Sequence, residues 1–142
     1  MESSFQSFLN RADDELHRAE RYRIFISITV IDLGFVREMT GERGMGQLRE
    51  AVGRMIRQQV RACDYVSDLP KDCFGLLFPE TTRQGAEVAL KRITEMVRDE
   101  VRRMTGNTIG KILPKGLASY PDTAGAATVS QFMEDLRRSA RN

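Results

Sequence analysis

Hydrophobic residues follow two different periods along this chain. In four stretches they recur every three or four positions, the spacing that places them on one face of an amphipathic helix. These stretches start near Phe5, Leu48, Ala86 and Val129. The segment from Arg23 to Leu33 is instead a nearly continuous run of β-branched and aromatic residues, which predicts a central strand buried on both faces. The chain is therefore expected to mix helices with strands.

Two shorter apolar runs, Tyr65 to Ser67 and Cys73 to Phe78, predict a pair of strands. The segment between them, Asp68 to Asp72, contains a proline and predicts a hairpin turn. One or two further strands are predicted over residues 108–120. The resulting order, α β (α) α β β α β α, predicts an α/β or α+β sandwich in which helices flank a mixed central sheet. A length of 142 residues fits one domain spanning 1–142.

Several helix ends are marked in the sequence. A polar residue followed by glutamine three positions later is the capping-box pattern of a helix start. The pattern occurs at Ser3 with Gln6, at Thr81 with Gln84, and at Thr128 with Gln131. Gly106 predicts the end of the third long helix, and the glycine-bearing stretch 34–46 predicts a loop or a short helix.

Composition narrows the functional classes. Hydrophobic residues make up 41% and charged residues 30%, the balance of a soluble globular protein, and a net charge of +2 is too small to favour DNA binding. The longest apolar run is shorter than the roughly 18–20 residues of a membrane span, so no membrane partner is expected.

Cys63 and Cys73 predict reduced thiols in a cytoplasmic protein, and the lone histidine argues against a zinc site. Arginine outnumbers lysine eighteen to four, which hints at phosphate binding.

Four strings occur in an order and at a spacing that resemble one known family. They are Glu15 to Tyr22, Val60 to Val66, Phe74 to Thr81 and Gly116 to Pro121. They resemble, in turn, the first helix of the GGDEF family, the stretch that enters its signature hairpin, the strand that leaves it, and its late strand of the form SIGxAxYP. GGDEF domains are diguanylate cyclases, which join two GTP molecules into cyclic di-GMP. The resemblance covers nearly the whole chain and implies the GGDEF fold, with a β-hairpin at the signature.

The signature itself is degenerate. The five positions of the family's Gly-Gly-Asp-Glu-Phe fall on Pro70, Lys71, Asp72, Cys73 and Phe74. Glycines allow positive φ and a close approach of backbone to phosphate, whereas proline fixes φ and removes an N–H donor. Pro70 and Lys71 fit an ordinary solvated hairpin tip. Cys73 stands where the resemblance implies a catalytic acid, and a thiol does not replace that carboxylate. The family's Asp-x-Leu-Thr-Gly-Leu motif is absent too, so we expect no cyclase activity.

The resemblance implies a Mg²⁺ site between an aspartate at the end of the first strand and the third signature position. Asp32 and Asp72 are the vestigial candidates. Placing Asp32 there requires a short gap near Gly46 and puts Thr40 where the family has a guanine-binding asparagine. An ungapped alignment puts Val30 at the metal position instead. Both placements lose substrate contacts, and Mg²⁺ in such sites usually also needs substrate phosphates, so no metal or other cofactor is expected.

The sequence retains the residues that mark one ligand site of the family. The resemblance implies an inhibitory site for cyclic di-GMP, marked by Arg-x-x-Asp shortly before the signature and completed by an arginine on the next helix. Arg61 and Asp64 match the motif, and Arg92 matches the second arginine. Arginine can fork onto phosphate or stack on guanine, and a carboxylate can accept hydrogen bonds from the donor edge of guanine. Arg61 and Asp64 would share a helix face if the second helix continued through them. The alternative is a surface ion pair with no ligand.

Three hypotheses for function result. The first is a catalytically inactive GGDEF-like domain that acts as a cyclic di-GMP receptor and alters its contacts with another protein or an adjacent signalling domain. The second is a protein-interaction or homodimerisation module that uses no nucleotide. The third is a residual enzyme that binds GTP without turnover. A stretch of this length is commonly part of a longer signalling protein, so the resemblance also implies an excised domain.

Overall fold

The computed structural model describes residues 4–110, 114–121 and 128–141 of the chain. Helices and strands alternate as the hydrophobic periods predict. In chain order they are helix α1 (Ser4–Tyr22), strand β1 (Ile26–Asp32), a 3-10 helix (Gly34–Val36), helix α2 (Arg37–Gln59), strands β2 (Tyr65–Leu69) and β3 (Cys73–Pro79), helix α3 (Arg83–Thr105), strand β4 (Leu117–Tyr120) and helix α4 (Val129–Arg141). Within these ranges no helix combines the length and the apolar character needed to cross a membrane.

The described strands form one sheet in the order β2-β3-β1-β4, and every neighbouring pair is antiparallel. The α+β sandwich is confirmed, but the expected mixed sheet is wrong for these pairings. β1 and β2 run in the same direction and are joined through α2, with β3 between them. β3 and β4 are likewise joined through α3, with β1 between them. Alternating helices and strands predict parallel crossovers, but not that each crossover spans an inserted antiparallel strand.

Helices cover both faces of the sheet and make two apolar cores. α2 and α3 pack on one face, against a cluster that includes Ile31 and Phe74. α1 and α4 pack on the other face, against a cluster that includes Ile28 and Leu77. The first six residues of β1 are all buried, because that strand contributes side chains to both cores. The two-sided burial predicted for this strand is therefore confirmed.

The start of α3 differs from the sequence pattern by one residue. The structure caps this helix with Thr82, whose Oγ1 accepts a hydrogen bond from the backbone N–H of Gly85 at 3.1 Å. The predicted cap at Thr81 is wrong because the Thr81 hydroxyl donates to the carbonyl oxygen of Pro79 instead, at 2.9 Å. Thr82 therefore takes the capping position and the helix begins at Arg83.

Other helix ends follow the pattern. Gly106 ends α3 in the left-handed conformation, at φ 76°. Thr128 accepts from the backbone N–H of Gln131 at 3.0 Å, as a capping residue does. Ser3 lies outside the described residues. The stretch 34–46 is helical rather than a loop, with a break at Gly41 (φ 70°, ψ −178°) where glycine permits the left-handed backbone.

Candidate functional site

The degenerate signature forms the tip of the β2–β3 hairpin. Pro70, Lys71 and Asp72 join the two strands, and Pro70 and Lys71 are exposed, as expected of a solvated tip. Lys71 and Asp72 both adopt the left-handed conformation, with φ of 62° and 61°. The turn keeps a backbone that glycine adopts freely, at a cost of about 1–2 kcal/mol for each non-glycine residue. Phe74, the last signature position, is fully buried in the α2/α3 core.

Asp72 is held by two arginines of α2. Arg37 donates two hydrogen bonds to its carboxylate, from Nε to Oδ2 at 2.8 Å and from Nη2 to Oδ1 at 2.9 Å. Arg49 donates a third, from Nη1 to Oδ1 at 3.3 Å. Asp72 is only 5% exposed, yet these hydrogen bonds, above all those from Arg37, lower its pKa against the effect of burial. Arg37, Asp72 and Arg49 are termed the arginine clasp below.

Asp32 has different partners from Asp72. Its Oδ1 accepts from the backbone N–H of Gly34 at 2.8 Å, and it pairs in register with Cys73 across β1 and β3. Burial in the first place, and the negative charge of Asp32 in the second, raise the pKa of the Cys73 thiol to about 11. Cys73 is therefore a neutral thiol at pH 7 and a poor nucleophile.

The side chains at these positions do not fit Mg²⁺. Mg²⁺ takes oxygen ligands, whereas the Asp72 carboxylate is neutralised by two guanidinium groups and the residue beside Asp32 is a neutral thiol. Over the described ranges, no three His, Cys, Asp or Glu side chains lie together as metal ligands would. The alternative metal position does not fit Mg²⁺ either, because Val30 has an apolar side chain that is buried in the α1/α4 core.

The Arg-x-x-Asp motif lies in a turn and not on a helix. α2 ends at Gln59 and Val60 is extended, so the helix face expected for Arg61 and Asp64 does not form. The turn nevertheless brings the two side chains together. Arg61 donates from Nη2 to Asp64 Oδ1 at 2.9 Å and from Nε to Oδ2 at 3.3 Å, and its backbone N–H donates to Oδ2 at 2.8 Å.

A second set of contacts holds Arg61 at the end of β3. Nη2 also donates to the carbonyl oxygen of Pro79 at 2.8 Å and to Thr81 Oγ1 at 2.6 Å. The chain presents both acceptors because Glu80, between them, adopts the left-handed conformation at φ 51°. These acceptors tie the turn before β2 to the turn after β3. Hydrogen bonding to Asp64 is the main reason that the pKa of Arg61 is raised.

Arg61, Asp64 and Arg92 meet at one cavity of about 400 Å³, termed the Arg61 cavity. Arg92 reaches it from α3 and donates from Nη2 to the carbonyl oxygen of Gln59 at 3.1 Å. The cavity also has apolar lining residues: Val60, Phe78, Val88 and Ala89. The structure thus brings together all three residues that the sequence predicted for ligand binding.

Asp64 is the least accessible of the three. Its side chain is 3% exposed, against 53% for Arg61. Both of its carboxylate oxygens already accept hydrogen bonds from Arg61. In this arrangement Asp64 anchors Arg61, and the direct contact of Asp64 with guanine stays a prediction.

Four contributors to these two sites were not identified from the sequence. They are Arg37, Arg49, Glu80 and Thr81. No spacing rule links the two arginines to the signature, because the contacts depend on how α2 lies over the hairpin. Glu80 and Thr81 end one of the strings that carry the family resemblance, and the proline before them marks the end of a strand. That proline is the one local signal that a special turn follows.

Comparisons with solved structures give the fold its name. The GGDEF domain of DgcB from Caulobacter crescentus, in complex with cyclic di-GMP, matches with a TM-score of 0.65 and 19% identity, over 94% of this chain and 84% of that one. The FimX GGDEF domain from Pseudomonas aeruginosa matches with a TM-score of 0.70 and 19% identity, over 95% and 84%. Diguanylate cyclase SiaD from Pseudomonas aeruginosa, in complex with its activator SiaC, matches with a TM-score of 0.63 and 23% identity, over 92% and 53%. No protein-family model and no curated protein matches the sequence.

The chain is GGDEF-like in fold. A four-stranded antiparallel sheet with helices on both faces superposes on GGDEF domains over nearly the whole chain. At identities below 25%, these matches show the fold alone, so activity and ligand depend on the side chains described above.

Proposed function

We propose that this chain is a GGDEF-like regulatory domain that does not make cyclic di-GMP and binds it as a ligand in the Arg61 cavity. The observation that carries the proposal is the meeting of Arg61, Asp64 and Arg92 at one cavity, whose volume of about 400 Å³ is in the usual range for small-molecule sites. Arg61 and Arg92 supply positive charge for phosphate oxygens, and the neighbouring apolar wall suits flat bases. The DgcB domain, which has the same fold, was solved in complex with cyclic di-GMP.

The signature turn supports the absence of synthesis. Pro70 has no N–H to offer a phosphate. Cys73 is a neutral thiol where the resemblance implies a catalytic carboxylate. Asp72 is committed to the arginine clasp, so its carboxylate is not available to a cation. We therefore expect no cyclic di-GMP when the protein is incubated with GTP and Mg²⁺ and the products are separated by chromatography.

Isothermal titration calorimetry with cyclic di-GMP tests the binding. We expect micromolar or tighter affinity in the wild type and a loss of at least about tenfold in Arg61→Ala and in Arg92→Ala, because each variant removes a charged hydrogen-bond donor. Arg98→Ala is the matched control, since Arg98 is another exposed arginine of α3 and does not line the cavity. No heat at high protein concentration would contradict receptor function, and conversion of GTP to cyclic di-GMP would contradict the loss of synthesis.

Exposed apolar side chains favour a second function, protein interaction without nucleotide. Phe35 and Met39 lie four positions apart where the 3-10 helix meets α2, and they are 50% and 42% exposed. SiaD, which shares this fold, was solved in complex with its activator SiaC. A dimer in light scattering that is weakened by Phe35→Ser, together with a thermal stability that cyclic di-GMP leaves unchanged, would favour this function over the receptor.

A further inference from the structure

A second cavity opens at the other end of β3 from the Arg61 cavity. It has a volume of about 130 Å³ and lies beside the tip of the β2–β3 hairpin, on the face of the sheet that α1 and α4 cover. We name it the Cys73 cavity. Its apolar lining residues come from α1, β1, the hairpin and α4, and they are Phe5, Val30, Leu69, Cys73 and Leu136.

The floor of the Cys73 cavity is apolar and uncharged. Val30 and Leu69 are buried, and Phe5, Cys73 and Leu136 are partly buried against the same α1/α4 core. The Cys73 thiol stays protonated at pH 7, because burial raises its pKa to about 11. An apolar cavity of about 150 Å³ holds a benzene ring, so a cavity of this size and lining suits one small ring or a short branched chain.

The rim of the Cys73 cavity is positively charged. Lys71 and Lys115 line it and are exposed, and Asp32 is the one carboxylate among the described lining residues. The Asp32 carboxylate already accepts a hydrogen bond from the backbone N–H of Gly34 at 2.8 Å. Two ammonium groups against one carboxylate leave a net positive charge at the mouth of an apolar cavity.

Of the two lysines, Lys115 has the clearer relation to the floor. Its positive charge lowers the pKa of the Cys73 thiol against the larger effect of burial, which places the ammonium group within electrostatic reach of the floor. Lysine carries its charge on one flexible ammonium group, so it can follow an anion that sits at the mouth of the cavity.

We propose that the Cys73 cavity binds a small organic monocarboxylate, with its apolar body on the floor and its carboxylate at Lys115. The floor rewards apolar area removed from water, and the lysine rewards the anion. Inorganic phosphate has no apolar body to bury, and a neutral molecule of the same shape gains nothing from the ammonium group. The site does not depend on cyclic di-GMP binding, because the Arg61 cavity lies at the opposite end of β3.

An amide-resolved NMR titration of the full chain tests the site, with benzoate as the probe and benzamide as its neutral control of nearly the same shape. We expect benzoate to bind with a Kd of roughly 1 mM, as suits so small a ligand, and to shift the amide signals of Val30, Leu69 and Cys73. Benzoate should bind about fivefold more tightly than benzamide. Inorganic phosphate should leave these signals in place.

Variants separate the anion contact from the apolar floor. Lys115→Met keeps the apolar stem and removes the charge, so it should weaken benzoate binding to the level of benzamide and leave benzamide binding unchanged. Lys91→Met is the matched control, since Lys91 is an exposed lysine of α3 that does not line the cavity. Cys73→Leu extends an apolar side chain into the cavity and should weaken both probes.

Three results would overturn the proposal. No shift of the cavity amides at roughly 20 mM benzoate would remove the site itself. A preference for benzoate that survives in Lys115→Met would remove the assigned anion contact. A phosphate response equal to that of benzoate would show that the apolar floor takes no part. The NMR spectrum shows whether each variant is folded, and Lys115→Met decides the matter alone if Cys73→Leu does not fold.

Discussion

Individual arginine side chains hold the turns at both ends of β3. Before the strand, Arg37 grips Asp72 in a left-handed turn. After the strand, Arg61 binds the residues on either side of left-handed Glu80. Each turn costs conformational energy because its residues are not glycine, and in each a charged hydrogen-bond network lies at the strained position. Some of the many arginines of the sequence therefore stabilise the left-handed turns of the backbone.

Asp72→Asn tests the arginine clasp. Asparagine tolerates the left-handed backbone and has nearly the same size, so the variant mainly removes the charge. We expect the free energy of unfolding at pH 7 to fall by about 1–2 kcal/mol, measured by urea denaturation. Asp99→Asn is the control, because Asp99 is exposed. Its one described ion pair is with Arg102, at 3.6 Å.

The same variant has a defined pH dependence. The pKa of Asp72 is lowered in the folded state, so the clasp contributes fully above the pKa of the unfolded carboxyl group. That contribution is lost as the pH falls through the lower, folded-state value. The gap in stability between wild type and Asp72→Asn should therefore shrink in acid, and a gap that stays constant would contradict the role of the charge.

Elements pack closely where α1 crosses β3, and one glycine permits the approach. A Cβ atom on Gly75 would lie 2.7 Å from the ring of Phe8, well inside van der Waals contact. Phe8 is buried, with 2% of its surface exposed, and it belongs to the α1/α4 core. The absence of a side chain on Gly75 therefore lets α1 lie against the sheet and cover the hairpin strand.

Gly75→Ala should lower the free energy of unfolding by about 1–3 kcal/mol through overpacking against Phe8. Gly46→Ala is the matched control, because no heavy atom lies within 4 Å of a Cβ built on that α2 residue. The control should raise stability by about 0.5–1 kcal/mol through helix propensity. Chemical denaturation measures both, and a loss of similar size in the two variants would contradict the packing argument.

The whole molecule separates its two polar sites along β3. The arginine clasp lies at the start of this strand and the Arg61 cavity at its end. Seven residues of extended chain span roughly 20 Å, so a ligand in the cavity does not reach the clasp directly. The two sites are nevertheless connected by α2, because Arg37 is the first residue of this helix and Arg61 lies two residues after its end. The elements that connect the Arg61 cavity to the hairpin tip are α2, β2 and β3.

Ligand binding should stabilise the whole domain by mass action. Cyclic di-GMP at 100 times its Kd should add about 2.7 kcal/mol to the free energy of unfolding and raise the melting temperature by several degrees. At the same ligand concentration, a tenfold weaker affinity in Arg92→Ala should cut this gain to about 1.4 kcal/mol or less. The ligand-free stability should stay nearly unchanged, because Arg92 is exposed and its described hydrogen bond is to the Gln59 carbonyl. Thermal denaturation followed by circular dichroism measures both quantities. A full shift in Arg92→Ala would exclude Arg92 from the site.

Much of the fold was predictable because it is encoded locally. The spacing of apolar residues located the helices, and the unbroken apolar run located β1, since both patterns reflect neighbours within one element. The direction of the strands was not predictable, because it depends on β3 entering between β1 and β2. The cap of α3 was predicted one residue too early for a related reason. Thr81 Oγ1 accepts a hydrogen bond from Arg61, a residue twenty positions earlier.

Local patterns were enough to predict most of the helices and strands and the strand that is buried on both faces. The substitution of proline and cysteine for glycine and an acid in the signature is likewise visible in the sequence. These are properties of single residues and of short-range periodicity. The pairing of arginines with carboxylates depends on the three-dimensional packing, because Arg37 and Asp72 are 35 positions apart and come together where α2 packs over the hairpin. It likewise buried the Asp64 side chain beside Arg61, since the accessibility of a side chain is set by all the elements that surround it.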